Sequence, residues 1–296
     1  MTERRSLHLN PYLLVFIAAA LWSTGGLFVK VTTLDAFSVN LGRSFFAAVV
    51  VAVFTYKKGL KPDGMVLINS ILYAATLSFY VYALKNTTAA NAIFLQYTAP
   101  IYILILAPFL LKEAFQVSDI FTVVACLIGM SLFFLEPGAA QATAPNIYAG
   151  NLAGLASGIF FGLYLIFLRH PRSKQGNPAV SVFYGNFIVV LLMLPFVFTD
   201  PPKTITIGDA AAILYLGIVQ IGIAYIFFTN GIAGGVRSMD ASIIGFIEPM
   251  FNPLWVFVIL GETPGKWALI GGIIILSSVA FHTFRQYKKR PAISTA

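Results

Sequence analysis

Residues 91–113, NAIFLQYTAPIYILILAPFLLKE, and residues 240–262, DASIIGFIEPMFNPLWVFVILGE, decide the fold. In the first, Pro100 is followed by twelve residues and then Glu113; in the second, Pro249 is followed by twelve and then Glu262. The offset is 149, and at that offset Ala92 also falls on Ala241 and Gly129 on Ser278. Each stretch has the length of about 20 apolar residues that a helix needs to cross a hydrocarbon core. The same ruler, carried outward along the chain, gives ten candidates at about 11–29, 36–56, 65–84, 91–111, 118–135, 147–168, 179–199, 209–231, 240–260 and 266–284. Breakers fill the short linkers: Lys57-Lys58-Gly59, Pro62-Asp63-Gly64, Glu136-Pro137-Gly138 and Pro201-Pro202. The small, polar stretch from Gly138 to Asn146 is the natural midpoint.

Residues 1–138 are therefore expected to form a first five-helix repeat and 139–296 a second, within one integrated transmembrane domain. Five is odd, so the second copy must enter the bilayer upside down. The loops agree, because the basic loop follows the second helix in the first half and the first helix, at Arg169 to Lys174, in the second. The expected fold class is an all-α membrane protein of ten transmembrane helices in two inverted five-helix repeats. Inverted repeats mark secondary transporters, with substrate held near the midplane between the halves.

Composition supports lipid as the solvent. Of 296 residues, 58% are hydrophobic and 10% charged, against about 25% charged in a soluble domain. Mean hydropathy is +0.85. The net charge of +8 does not indicate a nucleic-acid partner, because the basic residues sit in short clusters between apolar runs. With the N-terminus inside, 14 lysines and arginines fall in cytoplasmic segments against four (Lys30, Lys85, Lys203 and Lys266) in outer ones; Arg43, within a helix, completes the 19. That bias predicts cytoplasmic termini. Arg4-Arg5 before an apolar run outlines a signal peptide, but the run continues through Val29, and a retained first helix is expected. The single cysteine, Cys126, precludes an intramolecular disulfide, and no cofactor or metal set is apparent.

Arg43 and Glu248 are the two charges placed well inside predicted spans. A charge near a helix centre costs about 2.5–3.5 kcal/mol on insertion scales, so it faces protein or water. A packing role and a direct role both stay open. Asn40, Arg43, Ser44 and Ala47 share one face of helix two, as Glu248, Asn252 and Trp255 do on helix nine. Helix three offers Tyr73, Thr76 and Tyr80, with Tyr82 alongside; helix four offers Tyr97, helix six Tyr164, and helix eight Tyr225 and Asn230. Trp22 sits mid-span, away from the interfaces where membrane tryptophans anchor. A cavity lined by these residues is apolar with a few hydroxyls and amides, suited to neutral or amphipathic solutes. Gly150, Gly154, Gly158 and Gly162 recur every four residues on helix six and allow close helix approach. Pro100 and Pro249 free backbone carbonyls and are candidate hinges, though static kinks are equally compatible.

Trp22-Ser23-Thr24 with Lys30, Arg43-Ser44-Phe45, Pro100 to Lys112-Glu113, and Glu248-Pro249 to Gly261-Glu262 resemble the helix signatures of the drug/metabolite transporter superfamily. The resemblance is to its ten-helix, EamA-type branch and extends over nearly the whole chain. Within it the sequence is most similar to bacterial exporters of aromatic and other amino acids. The resemblance implies a basket in which helices three, four, eight and nine line a cavity with one, two, six and seven, while five and ten stand outside. It also implies a bacterial inner-membrane location, amino acids and related metabolites as substrates, and a chain for which the monomer is an open option. A multidrug or other metabolite exporter is the alternative, and a channel-like pore the alternative of a different class. An enzyme is not expected: no span combines Ser with His, no HExxH occurs, and Gly261 to Lys266 lacks the spacing of a P-loop.

Overall fold

The computed structural model describes residues 10–112, 116–135, 145–173, 177–260 and 266–289, and within them the chain forms helices and no strand. Span one is α1 (Pro11–Trp22) and α2 (Gly25–Val31), span two α3 (Ala36–Thr55), span three α4 (Gly64–Asn86), and span four α5 (Ala89–Gln96) and α6 (Ala99–Leu111). Span five is α7 (Val117–Ser131), span six α8 (Ile147–Arg169) and span seven α9 (Ala179–Thr199). Span eight joins α10 (Ile207–Tyr215), a π-helical segment (Leu216–Ile223) and α11 (Ala224–Ala233). Span nine is α12 (Ser238–Gly245) and α13 (Ile247–Leu260), and span ten is α14 (Lys266–Lys289). Among the described residues, eight helical stretches are long and apolar enough to cross a membrane, and α7 is a shorter apolar helix of 15 residues. Span nine, α12 and α13, is not among those eight.

Capping residues explain where several spans start. Asp35 accepts from the backbone N–H groups of Phe37 and Ser38, Asp63 from Val66, Thr88 from Asn91, and Asn146 from Ala149. Each satisfies a donor that the helix itself leaves free. The exposed surface is then unlike that of a water-soluble protein: Phe109, Phe121, Phe198 and Ile207 are all more than two-thirds exposed. Apolar side chains in such numbers on the outside are at rest only against lipid.

The helices pair by a two-fold rule. Span three packs on six as one packs on eight, three on seven as two on eight, and four on six as one on nine. Spans two and seven pair directly, as do five and ten. Exchanging each span with the one five places along reproduces these main pairings, and an odd number of spans per half makes the exchange an inversion. The correspondence is residue-exact where the sequence repeat is clearest: α5 and α12 start and end at the offset of 149, and α6 and α13 end at it.

The breaks in spans four and nine change the reading of the prolines. Pro100 is the second residue of α6 and Pro249 the third of α13. In a first turn a missing N–H costs nothing, because no partner exists there. Both prolines therefore begin a helix after an interruption, whereas Pro108 and Pro195 lie inside helices.

The glycine row of α8 is the bed on which span four lies. A Cβ on Gly150 would stand 2.6 Å from the Thr87 nitrogen, one on Gly158 2.7 Å from the Leu95 oxygen, and one on Gly162 3.0 Å from the Ala99 oxygen. At Gly154 the nearest atom is a side-chain carbon of Leu95, at 3.1 Å. Backbone cannot yield as a side chain can. Gly158→Ala is expected to destabilise by about 1–3 kcal/mol through overpacking, and Gly154→Ala by clearly less. Gly158→Leu should prevent folding. Thermal unfolding of the purified variants in detergent checks the order; equal midpoints for both alanine variants would refute it.

Candidate functional site

Four irregular stretches of backbone meet at one point. They are the break after Trp22, the break at Tyr97–Thr98, the π-helical segment of span eight, and the break at Phe246. Between them lies a cavity of about 30 Å³ lined by Trp22, Arg43, Leu77, Tyr80, Gln96, Phe161, Gln220, Ile221, Tyr225 and Glu248. Spans one, two, three, four, six, eight and nine contribute; among the described residues five, seven and ten do not.

Cross-bonds hold the breaks in place. Tyr97 Oη lies 2.6 Å from the Gly245 carbonyl oxygen and 2.8 Å from Glu248 Oε2, its one proton serving either acceptor, so the interruption of span four is tied to that of span nine. Tyr80 Oη reaches Glu248 Oε1 at 3.3 Å. Gln220 Nε2 approaches the Trp22 carbonyl at 3.4 Å, and Trp255 Nε1 donates to Ser23 Oγ at 2.7 Å. The indole of Trp22 packs against Tyr225 and Phe228, with ring centroids 4.7 and 4.9 Å away, and edge-on to Phe161 at 6.1 Å. Arg43 is 1% exposed, and its Nε and Nη2 find no hydrogen-bond partner. Its backbone is fixed from the other side by Gly217, where a Cβ would stand 2.7 Å from the Arg43 carbonyl oxygen.

The structure thus gathers Trp22, Arg43, Tyr80, Tyr97, Tyr225 and Glu248 from the residues singled out in the sequence. Tyr164 stands one layer back, edge-on to Tyr73 and Tyr225. Asn40 and Tyr82 line a different feature, an apolar groove of about 540 Å³ between spans two, three, six and seven. Asn230 does not join the site: it is exposed, and its amide donates to Ile226 of its own helix. The side chain of Asn252 and the residues Glu113 and Glu262 lie outside the described residues. Phe161, on the face of helix six that also carries Ser157, Phe160 and Tyr164, joins the cavity, whereas Gln96 and Gln220 were missed. The two glutamines carried a usable signal, an uncharged polar side chain in mid-span.

A second buried polar cluster forms where span ends meet. Asp119 of α7 and Asp240 of α12 are both 0% exposed, and His282 of α14 is 2% exposed. Arg237 binds Asp240 at 2.6 Å and Asp119 at 3.5 Å. His282 Nε2 lies 2.9 Å from Asp240, its Nδ1 3.8 Å from Asp119, and Tyr12 Oη donates to Asp240 at 2.9 Å. Burial of Arg237 disfavours its charge, yet the hydrogen bond and charge of Asp240, with Asp119 behind, hold its pKa above the ordinary value. Spans one, five, nine and ten are latched together here. Position 91, which the repeat sets opposite 240, forms the counterpart at the other end: Asn91 and Thr87 both donate to Asn151 of span six, at 3.3 and 2.8 Å.

Helices in inverted repeats, closed around a buried cavity at their common breaks, are the architecture of a membrane transporter. The profile of the EamA-like transporter family matches residues 9–135 and again 148–284, once in each half, and the chain belongs to that family. An uncharacterised transporter of Archaeoglobus fulgidus is 27% identical over 265 residues, 90% of this chain and 93% of its own length. The pseudopaline exporter CntI of Pseudomonas aeruginosa is 22% identical over 270 residues, 89% of this chain and 92% of its own. A solved crystal structure superposes with a TM-score of 0.78 at 21% identity over 95% of this chain and 99% of that one, a likeness of fold.

Removing one partner from a buried ionic network strands the others. Asp240→Ala is expected to cost about 3–5 kcal/mol of stability, whereas loss of the exposed cap in Asp35→Ala should cost about 1 kcal/mol. Unfolding midpoints in detergent compare them, and an Asp240→Ala protein as stable as Asp35→Ala would refute the latch.

Proposed function

We propose that this chain exports neutral and aromatic amino acids and related metabolites across the bacterial cytoplasmic membrane by alternating access, with both termini in the cytoplasm. The observation that carries the reading is the central cavity, where a guanidinium and a carboxylate share one void with the aromatic wall of Trp22, Phe161 and Tyr225. A pocket of that chemistry suits a small molecule with polar ends and an apolar body. At about 30 Å³ the void has room for a water or two, so an amino acid enters only when the helices part on one side. The relative named as an exporter supports the direction of transport.

The multidrug reading draws on the apolar groove bordered by Phe37, Phe79, Tyr82 and Phe196, which would take a lipophilic compound. A panel of amino acids, offered to proteoliposomes with and without a proton gradient, separates the two. Saturable counterflow of neutral amino acids, including at least one with a large side chain and without ATP, is the expected result. Flux of cationic drugs with no amino-acid flux makes the groove reading the better one, and unitary currents in bilayer recordings make the protein a channel.

Orientation has its own test. A cysteine replacing Ala140 should react with an impermeant reagent outside intact cells, and one replacing Arg172 should not. Labelling at 172, alone or together with 140, overturns the inverted topology with cytoplasmic termini.

A further inference from the structure

Unpartnered buried polar atoms are rare in folded proteins, and among the described residues four of them belong to side chains that line the central cavity. Arg43 contributes Nε and Nη2, Trp22 contributes Nε1, and Gln220 contributes Oε1. Three are donors and one is an acceptor. Glu248 lines the same cavity but does not bond Arg43 directly. Its oxygens already accept from Tyr97 and Tyr80, and among the described residues no ion pair within 4.0 Å reaches Arg43. Besides Glu248, which lines the same cavity, the ionisable groups that face Arg43 from the neighbouring helices are the phenols of Tyr73, Tyr80 and Tyr225, none of them an anion under ordinary conditions. A guanidinium is permanently charged. Sealed between helices, this one is a fixed positive charge whose planar donor edge opens on a void.

We propose that Arg43 anchors the carboxylate of the transported molecule while Glu248 and Gln220 receive its ammonium group, so that the cavity recognises a zwitterion. The proposal rests on the amino-acid reading above and narrows it to molecules with a free carboxylate. A carboxylate takes two parallel N–H bonds from a guanidinium, and the indole N–H of Trp22 supplies a third donor on the same wall. The free lone pairs of Glu248 and the carbonyl of Gln220 are the acceptors left for an ammonium group. The rings of Trp22, Phe161 and Tyr225 remain for the side chain. A cationic drug without a carboxylate leaves Arg43 unpaired and adds a like charge beside it. Bound water alone satisfies the donors but does not neutralise the charge.

The test uses the full-length protein in lipid nanodiscs with phenylalanine, phenylalaninamide, 3-phenylpropionate and phenethylamine. Thermal stabilisation gives apparent affinities, and counterflow in proteoliposomes gives transport. The wild type should bind phenylalanine at least tenfold more tightly than the amide or the amine, the scale of a lost charge-assisted hydrogen bond. Arg43→Gln should remove the preference of phenylalanine over its amide, and Glu248→Gln the preference over 3-phenylpropionate. The wild-type series needs no variant, so a misfolded Arg43→Gln protein leaves the comparison intact. If amino acids are transported but the amide binds as well as phenylalanine, the anchor is overturned and the amino-acid reading stands. If 3-phenylpropionate binds through Arg43 and no amino acid does, the anchor stands and the amino-acid reading falls. If no carboxylate binds, both fall.

Discussion

The structure depends on the rule that backbone polar groups inside a bilayer find partners within the protein or go unsatisfied, because lipid offers none. An intact helix obeys it alone. A broken one does not, and this chain interrupts spans one, four and nine and winds part of span eight as a π-helix. Each interruption frees carbonyls and N–H groups that only neighbouring protein or a polar cavity can serve. Gathering the breaks at one depth meets that need, since each can serve the others: Tyr97 at one break bonds the Gly245 carbonyl at another, and Gln220 of the π-helical segment reaches the Trp22 carbonyl. The cavity therefore follows from the interruptions. Once irregular backbone is confined to one locus, polar side chains such as Tyr97 and Gln220 are drawn there to bond the freed groups.

Sequence made the spans legible because lipid imposes a long, monotonous apolar signal, and the repeat legible because Pro100 and Pro249 keep their spacing to Glu113 and Glu262. It did not reveal the breaks. Tyr97-Thr98 and Phe246 contain neither glycine nor proline and look like ordinary helical positions; the prolines that follow read as kinks because nothing local says that a new helix begins just before them. The π-helical segment was invisible for the same reason. Its register is set by Gly217 and Gly222, where an added Cβ would strike the backbone of Arg43 and the side chains of Phe46 and Val50. Burial by neighbouring helices is a tertiary fact. Asn230 shares a helix with Tyr225 but points away, and Asp119, Asp240 and His282 looked like span ends until four helices closed over them.

The frame is symmetric and the chemistry placed on it is not. At the offset of 149, Tyr97 corresponds to Phe246 and Ala99 to Glu248. One break therefore supplies the carboxylate and the other the phenol that holds it, so the bond between repeats is directional although the helices are interchangeable. The latches divide in the same way. Position 91 carries an amide that meets Asn151, and position 240 carries a carboxylate that meets Arg237, His282 and Tyr12. For a backbone built from inverted repeats, exchanging the halves converts an arrangement open at one end into one open at the other. Two identical latches would make those arrangements equal in free energy. Charge-assisted hydrogen bonds are roughly twice as strong as neutral ones, so under alternating access the latch nearer the termini would resist opening more than its counterpart. Under the alternating-access mechanism proposed above, substituting one side chain at a symmetric position would bias the equilibrium between the two arrangements without altering the fold.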